Sequence, residues 1–217
     1  MKKELTDYTK FIINLSRNKK VLDVGSIGHN FEKRGDRYDI WLFEAMKSNA
    51  SSVVGIDYLE SEVKKAQRAG YNIRFADAQN FNLDDKFDLI VAGDLIEHLS
   101  NPGLFIMSCK KHLKDGGLIM ISTPNTYSLA RLFRVFASWT NDPITNPEHT
   151  FYFTPQVLDE LFRRYGFLSS ETQYFSTNLK QTSFSELLQK VNDLLCTMLG
   201  NRFRESLVKV YRIKTDK

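Results

Sequence analysis

The sequence predicts a doubly wound α/β domain, in which helices cover both faces of a mostly parallel sheet. Two observations lead to this fold class. Short apolar runs alternate along the chain with amphipathic stretches of helical periodicity. The runs are apolar at nearly every position and are bounded by Gly and Asp, which is typical of strands buried on both faces. Repeated strand–helix units of this kind imply right-handed crossovers and a doubly wound sheet.

The predicted elements follow one another in a regular order along the first half of the chain. An N-terminal helix is expected within residues 1–19, because Tyr8, Ile12 and Leu15 fall on one apolar stripe. Five apolar runs predict the strands of the parallel part of the sheet: 21–25, 52–57, 73–77, 87–93 and 117–123. The helical stretches between them are 41–48, 62–69 and 102–113.

The second half of the chain predicts two more helices and two more strands. Thr154 is placed to cap a helix that Pro155 begins and Gly166 ends. A strand, a helix and a final strand are expected at 167–175, 183–200 and 206–213. The sequence contains neither repeats nor linkers, so the whole chain of 217 residues predicts a single domain.

The composition limits the class of protein. The 30 basic and 26 acidic residues give a net charge of +4, and the basic residues are scattered along the chain. Nucleic-acid-binding proteins usually concentrate their positive charge, so no strong nucleic-acid partner is indicated. Cys109 and Cys196 lie in amphipathic stretches and are interpreted as reduced packing residues. Since the sequence lacks an apolar signal segment and a long apolar run, we expect a cytoplasmic protein without a transmembrane segment.

Polar residues and glycines stand where the first three predicted strands end. The first strand runs into Gly25 and Gly28, which permit a tight turn and close approach of a ligand to the backbone. The second ends at Asp57, whose carboxylate can accept both hydroxyls of a ribose. The third ends at Asp77, which can accept a hydrogen bond from an adenine amine. Because ligands of open α/β sheets bind beyond the carboxyl ends of the strands, this set predicts a cofactor that contains adenosine.

Five motifs in this order resemble those of class I S-adenosylmethionine-dependent methyltransferases. They are VLDVGSIG (21–28), VVGID (53–57), FADAQNF (75–81), FDLIVAGDLIEHL (87–99) and LKDGGLIMISTPN (113–125). The later segment EHTFYFTP (148–155) is similar to one found in small-molecule and glycan O-methyltransferases. The resemblance implies a Rossmann-like methyltransferase fold of seven strands with the last one antiparallel. It also implies S-adenosylmethionine as the cofactor.

The resemblance further implies roles for individual residues of this sequence. Four residues would surround the methionine part of the cofactor: Asp23, Gly25, Ser26 and Gly28. The adenosine would be bound by Asp57 at the ribose and, at the adenine, by Tyr58, Asp77 and Ala78. Gly93 and Asp94 would line the floor beneath the reacting sulfonium.

Two other classes of protein stay open. A dinucleotide oxidoreductase needs a third glycine and a helix N-terminus to receive a pyrophosphate, and the residues after Gly28 give no clear helix start. S-Adenosylmethionine carries no phosphate, which favours the methyltransferase interpretation. The other class is a noncatalytic partner subunit. It is suggested by Ile27 and His29, which stand where the G-x-G-x-G pattern of the family has its second and third glycines.

The end of the fourth strand suggests catalysis, because a carboxylate and an imidazole stand side by side at Glu97 and His98. An acceptor hydroxyl must lose its proton before it can take a methyl group, which requires a general base or a metal. We predict catalytic roles for Glu97, His98 and the distant His149. Asp94-x-x-Glu97-His98 with His149 is similar to the E-x-x-E-H…H pattern of small-RNA 2′-O-methyltransferases and ubiquinone-pathway O-methyltransferases. These four residues form the predicted divalent-metal site.

The same residues have interpretations without a metal. His98 could cap the helix that begins near Pro102 or act as a metal-free base, and Glu97 could be a wall residue of the cofactor pocket. His149 could be a loop histidine whose hydrogen bonds are satisfied. His112 follows two lysines near the end of the same helix, so we expect it to be solvated.

The methyl acceptor is expected to bind over residues 125–154, between the fifth strand and the next helix. Arg131, Arg134 and Trp139 of this segment suit a polar small molecule that is anionic or sugar-like, and the family resemblance implies a cell-surface glycan or its precursor. Its apolar stripe is interpreted as core or a lid, with contact to a membrane or a lipid-linked acceptor as the alternative: Leu129, Leu132, Phe133, Phe136 and Trp139. Residues 29–39 are either a lid over the cofactor or a surface insertion, and a homodimer is left open.

Overall fold

The computed structural model describes residues 5–33, 40–137, 146–176 and 183–214, which form a seven-stranded sheet and the helices that cover it. The strands are β1 Lys20–Val24, β2 Ser52–Asp57, β3 Ile73–Phe75, β4 Phe87–Gly93, β5 Leu113–Pro124, β6 Phe167–Phe175 and β7 Ser206–Ile213. The helices are α1 Asp7–Ser16, α2 Leu42–Lys47, α3 Glu60–Arg68, α4 Pro102–His112, α5 Leu129–Ala137, α6 Pro155–Arg164 and α7 Ser183–Leu199.

The strands lie across the sheet in the order β3-β2-β1-β4-β5-β7-β6. β1 pairs in parallel with both β2 and β4, so the direction of winding reverses between β1 and β4. Such a reversal leaves a crevice beyond the carboxyl ends of these strands. β7 lies between β5 and β6 and is antiparallel to both. The doubly wound fold with an antiparallel last strand is therefore confirmed.

The central strands bury both of their faces. On β4, Ile90 and Ala92 belong to the core that α4 and α6 complete, whereas Leu89 and Val91 belong to the core that α1, α2 and α3 complete. All four side chains are fully buried. A strand that faces helices on both sides gains from burying every apolar side chain, at about 25 cal/mol per Å². This explains why the strand runs of the sequence are apolar without alternation.

His112 lies inside the protein, and the expectation that it is solvated is wrong. Only 2% of the residue is exposed. Its Nδ1 lies 2.7 Å from the backbone oxygen of Ser108, and its Nε2 accepts the backbone N–H of Leu83 at 2.8 Å. The imidazole thus accepts a hydrogen bond from the loop before β4. The two lysines that precede His112 in the sequence suggest an exposed position and give no sign of this buried contact.

The apolar stripe of α5 faces solvent at two of its positions, so the interpretation of this stripe as core is wrong there. Phe133 is 73% exposed and Phe136 is 86% exposed. The helix contacts α7. Trp139 and the side chain of Arg134 lie outside the described residues. Across the described part of the chain, no helix is long and apolar enough to cross a membrane.

A charged residue, Lys209 of β7, is buried between the sheet and α6. Its ammonium donates to the carboxylate of Asp159 at 2.9 Å and to the hydroxyl of Thr172 at 2.6 Å. Asp159 also accepts the hydroxyl of Tyr211 at 3.0 Å. The Lys209 side chain is 3% exposed, so its charge depends on these partners and not on water.

We expect Asp159→Ala to lower the free energy of unfolding by about 3 kcal/mol, because it leaves a buried ammonium without its counter-charge. Lys209→Met removes the charge and keeps most of the side-chain volume, so it should cost less than about 1.5 kcal/mol. Urea unfolding of the two variants measures the difference. Equal losses in both variants would contradict the assignment of the cost to the unpaired charge.

Candidate active site

A cavity of about 580 Å³ opens beyond the carboxyl ends of β1, β2 and β4. Its volume lies in the range of small-molecule and cofactor sites. Most of the predicted site residues line it: Asp23, Gly25, Ser26, Gly28, Asp57, Tyr58, Gly93, Asp94 and His98. The reversal point of the sheet therefore gathers strand ends that lie up to about 70 residues apart in the sequence.

The two remaining predicted adenine contacts, Asp77 and Ala78, do not line this cavity. β3 ends at Phe75, two residues before Asp77. The Asp77 carboxylate is exposed and accepts the backbone N–H of Gln79 at 2.8 Å, which is a local turn. A role of these residues at the adenine stays a prediction.

The loop after β1 is held against β2 by backbone hydrogen bonds. The N–H groups of Gly25 and Ser26 donate to the backbone oxygen of Ile56 at 2.9 and 3.1 Å. Gly25 has φ +76°, which a residue with a side chain adopts only under strain. The close approach also explains Gly55 in β2, where an added Cβ would lie 2.3 Å from the Ser26 hydroxyl. Gly25 thus permits the turn after β1, and Gly55 permits the close contact between β2 and Ser26.

Ile27, which replaces a family glycine, is compatible with this loop. Its side chain is buried in the core completed by α1, α2 and α3. Its N–H donates to Oδ2 of Asp57 at 3.0 Å, and the N–H of Leu59 donates to Oδ1 of Asp57 at 3.0 Å. Burial raises the pKa of the Asp57 carboxyl, and these backbone donors oppose that rise. Asp57 therefore ties the end of β2 to the loop after β1.

Asp23 is the second buried carboxyl of the cavity wall. The residue is 4% exposed, as is Asp57. Burial, and after it the negative charge of Asp57, together raise the pKa of Asp23 from its ordinary value of 3.8 to about 7. The pair therefore changes its net charge close to neutral pH.

A pH dependence of stability follows from Asp23. Because its pKa is higher in the folded than in the unfolded chain, it stabilises the fold fully below about pH 4 and loses this contribution as pH rises toward 7. At about 1.4 kcal/mol per pKa unit, the loss is on the order of 4 kcal/mol. We expect Asp23→Asn to remove this slope between pH 4 and 7, as measured by urea unfolding of both proteins. Parallel pH profiles of the two proteins would contradict the assignment.

Glu97, His98 and His149 meet at the edge of the cavity. One ligand atom of each lies within 4.8 Å of the others, and the rings of the two histidines are 4.7 Å apart between centroids. The backbone brings His149 there, because the N–H and hydroxyl of Thr150 both donate to the backbone oxygen of Glu97, at 2.8 and 2.9 Å. His98 also lines the cavity, so the cluster and the cofactor cavity are continuous.

Asp94, the fourth residue of the predicted metal site, lies apart from this cluster in the structure. It is not part of the group of three, and its Oδ1 accepts the hydroxyl of Ser122 at 3.1 Å. Its φ of +47° places the residue in the left-handed region, which directs the chain away after β4. The structure thus brings together three of the four predicted metal ligands.

His98 does not cap α4, so that interpretation is wrong. The cap is Asn101, whose side chain accepts the N–H of Leu104 at 3.2 Å. Burial lowers the pKa of His98 below its ordinary value, although contacts with Glu148 oppose this shift. The neutral imidazole that this favours is the form that can bind a metal or accept a proton.

The comparison with protein families agrees with this geometry. The methyltransferase domain family matches residues 1–168. The chain belongs to this family. The assignment to the class I S-adenosylmethionine-dependent methyltransferases, made from the sequence, is thereby confirmed.

One curated relative of the protein is the ubiquinone biosynthesis O-methyltransferase of Pseudomonas fluorescens, which is 31% identical to it over 131 residues. The match covers 57% of the chain and 51% of that relative, so the chain spans about half the length of the curated relatives it matches. A solved S-adenosylmethionine-dependent methyltransferase from Archaeoglobus fulgidus has a TM-score of 0.62 at 17% identity, covering 93% of this chain and 89% of its own. N-methyltransferase NodS from Bradyrhizobium japonicum was solved with S-adenosyl-L-homocysteine and has a TM-score of 0.57 at 15% identity. The match covers 96% of this chain and 87% of NodS.

The cavity wall contains a tryptophan that the sequence did not predict as a site residue, and the predicted lid contacts it through Phe31. Trp41 lines the cavity and donates its indole N–H to the backbone oxygen of Ser26 at 2.6 Å. Phe31 is buried, and its N–H donates to Glu62 at 2.9 Å, so the start of the predicted lid is anchored. Residues 34–39 of that lid lie outside the described residues. A single tryptophan before a helical stretch gives no sequence signal of such a contact.

Proposed function

We propose that the protein transfers a methyl group from S-adenosylmethionine to a hydroxyl oxygen of a polar small molecule or glycan precursor. One observation carries the proposal: His98 lines the cofactor cavity and is also a member of the cluster with Glu97 and His149. Groups that can activate a hydroxyl thus stand beside the cavity expected to hold the methyl donor. Methyl transfer requires the acceptor oxygen and the sulfonium methyl to be brought into line at this boundary.

The cavity suits S-adenosylmethionine in both size and chemistry. Its volume of about 580 Å³ accommodates a cofactor of this size. The carboxylate of Asp57 lies on the cavity wall, held by backbone N–H groups that include those of Ile27 and Leu59, and is a charged acceptor for the ribose hydroxyls. Tyr58 is 67% exposed on the cavity wall, where its ring can stack on the adenine. NodS, a structural relative, was solved with the demethylated cofactor, which supports this assignment.

The cluster suits a divalent metal. A carboxylate with two imidazoles fits Zn, Mn or Fe, and three protein ligands leave positions open for other groups. A metal bound there would lower the pKa of the acceptor hydroxyl. The protein would contribute the placement, since Thr150 fixes the loop of His149 onto the backbone of Glu97. The relative from Pseudomonas fluorescens is an O-methyltransferase by name, which fits this chemistry.

A second route uses His98 as a general base without a metal. Burial lowers the pKa of His98, so the imidazole is neutral and can accept a proton near pH 7. In this route Glu97 and His149 would orient His98 and the acceptor. The two routes differ in one respect, since only the first is sensitive to a chelator.

A polar and anionic acceptor is supported by Arg131. Its guanidinium lies 3.9 Å from the centroid of the Tyr152 ring, and that ring lies 6.0 Å from the ring of His149. A guanidinium stacked on an aromatic ring keeps the N–H groups along its edge available for a carboxylate, a phosphate or sugar hydroxyls. A suitable recognition group close to the cluster thus supports an acceptor of this kind.

Two measurements test the proposal. Calorimetric titration with S-adenosylmethionine and S-adenosylhomocysteine measures cofactor binding, and transfer of tritium from methyl-labelled cofactor to a panel of hydroxylated acids and sugar phosphates measures catalysis. Binding with transfer supports the enzyme. Binding without transfer to any acceptor would favour the noncatalytic partner subunit, and absence of binding would refute both.

A further inference from the structure

A hydrogen-bonded chain of three side chains runs from the N-terminal helix to the cofactor cavity. The hydroxyl oxygen of Tyr8 lies 2.9 Å from that of Ser122, and the hydroxyl of Ser122 lies 3.1 Å from Oδ1 of Asp94. Tyr8 belongs to α1 and is 5% exposed, while Ser122 belongs to β5 and is fully buried. Asp94 lines the cavity. The chain thus links a helix outside the sheet to a charge on the cavity wall.

The chemistry of the three groups fixes the direction of the hydrogen bonds. An ionised carboxylate only accepts, so the single proton of the Ser122 hydroxyl is donated to Asp94. The backbone N–H of Asp94 donates to the same Ser122 oxygen at 3.0 Å. The remaining lone pair of Ser122 must therefore accept the proton of Tyr8. Burial raises the pKa of Tyr8, so its hydroxyl keeps that proton throughout the neutral range.

The hydrogen bonds to Ser122 hold the backbone of Asp94 in a left-handed conformation. Asp94 has φ +47°, and its N–H donates to both the backbone oxygen and the hydroxyl of Ser122 at 3.0 Å. The neighbouring Gly93 leaves little room for a side chain, since an added Cβ would lie 3.1 Å from Leu42 and 3.3 Å from the Tyr8 oxygen. The tyrosine hydroxyl is therefore packed against the strand end that presents Asp94.

We propose that Tyr8 is a positioning residue for cofactor recognition, which acts through Ser122 to aim the Asp94 carboxylate at the positive charge of S-adenosylmethionine. This inference rests on the proposed function. The sulfonium of S-adenosylmethionine is positive, whereas the sulfur of S-adenosylhomocysteine is neutral. A carboxylate held on the cavity wall favours the cation, and one that rotates away favours neither. Tyr8 thus affects how the protein distinguishes its cofactor from the product.

The quantity that tests this proposal is the ratio of the affinity for S-adenosylmethionine to the affinity for S-adenosylhomocysteine. In Tyr8→Phe, the Ser122 hydroxyl loses its donor and can turn away from Asp94. We expect the affinity for S-adenosylmethionine to fall about fivefold, while that for S-adenosylhomocysteine changes less than about twofold. Calorimetric titration at pH 7.5 measures both. Ser122→Ala removes the link without touching α1 and should give the same selective loss.

Two further variants separate positioning from a general effect of packing. Tyr211→Phe removes the hydroxyl of another buried tyrosine, which bonds Asp159 away from the cavity, and should leave the ratio of affinities unchanged. The single variant Asp94→Asn should lower the ratio of the affinity for S-adenosylmethionine to that for S-adenosylhomocysteine. The double variant that also carries Tyr8→Phe should show the same ratio as Asp94→Asn alone.

Each outcome has a distinct meaning. An equal loss of affinity for both ligands in Tyr8→Phe and Ser122→Ala would overturn the positioning role and leave a structural one. An unchanged ratio in both variants would overturn it as well. Failure of the wild-type protein to bind either ligand would instead refute the proposed function. The two failures are thus distinguished by the wild-type titration alone.

Discussion

Replacing His149 with alanine is expected to lower the affinity for Mn²⁺ or Zn²⁺ by about 100-fold or more, since even loss of an outer-sphere partner of a metal site costs 10- to 100-fold. The reason is the origin of the ligands. Glu97 and His98 are neighbours on one turn, and His149 is the one proposed ligand that comes from a separate loop. Without it, two adjacent side chains remain, which is too few for a stable site. Methyl transfer should fall in parallel if the metal activates the acceptor.

Metal content after gentle purification, calorimetric titration with MnCl₂ and transfer of labelled methyl groups with and without chelator measure these effects. His112→Asn is the matched control, because His112 uses both of its ring nitrogens in hydrogen bonds within the protein. Its metal content should equal that of the wild type. Full activity in chelator, with no bound metal, would eliminate the metal and leave His98 as the candidate base.

The positions of the strands along the chain could be predicted because the physical cause is local and repeated. Each of the seven predicted strand segments contains or overlaps an observed strand. In β1, Leu22 and Val21 face opposite cores and both are fully buried, so the apolar pattern of the sequence reports burial on two sides. The antiparallel direction of β7 required the family resemblance, and the order of the strands across the sheet came only from the structure, because apolar runs contain no information on neighbours.

The candidate site could be predicted only in part, for a physical reason that differs from residue to residue. Asp57 ends β2 and Gly25 directly follows β1, so the topology of the sheet alone brings them together. Tyr8 reaches Ser122 across 114 positions of sequence, a contact that no local pattern encodes. Asp94 was predicted as a metal ligand from the motif, yet its carboxylate accepts the hydroxyl of Ser122. Spacing along the chain fixes where a residue lies and not where its side chain points.

Replacing Asp57 with alanine is expected to lower the affinity for S-adenosylhomocysteine by about 10- to 100-fold. Two ribose hydroxyls would lose a charged acceptor, and such hydrogen bonds contribute about 1.5–3 kcal/mol. The carboxylate also accepts the N–H groups of Ile27 and Leu59, so its removal loosens the loop after β1 as well. Calorimetric titration of wild type and variant measures the loss. Equal affinities would rule out Asp57 as the ribose ligand.

The control for this experiment is Asp88→Ala, which removes a carboxylate with the same kind of structural task at the opposite end of the sheet. Asp88 accepts the backbone N–H of Lys20 at 2.8 Å and pairs with Lys114 at 2.9 Å. It lies at the start of β4, whereas the cavity lies beyond its end. Both variants should lose stability, but only Asp57→Ala should lose cofactor affinity. A similar loss of affinity in Asp88→Ala would mean that the sheet as a whole, and not the ribose contact, sets the affinity.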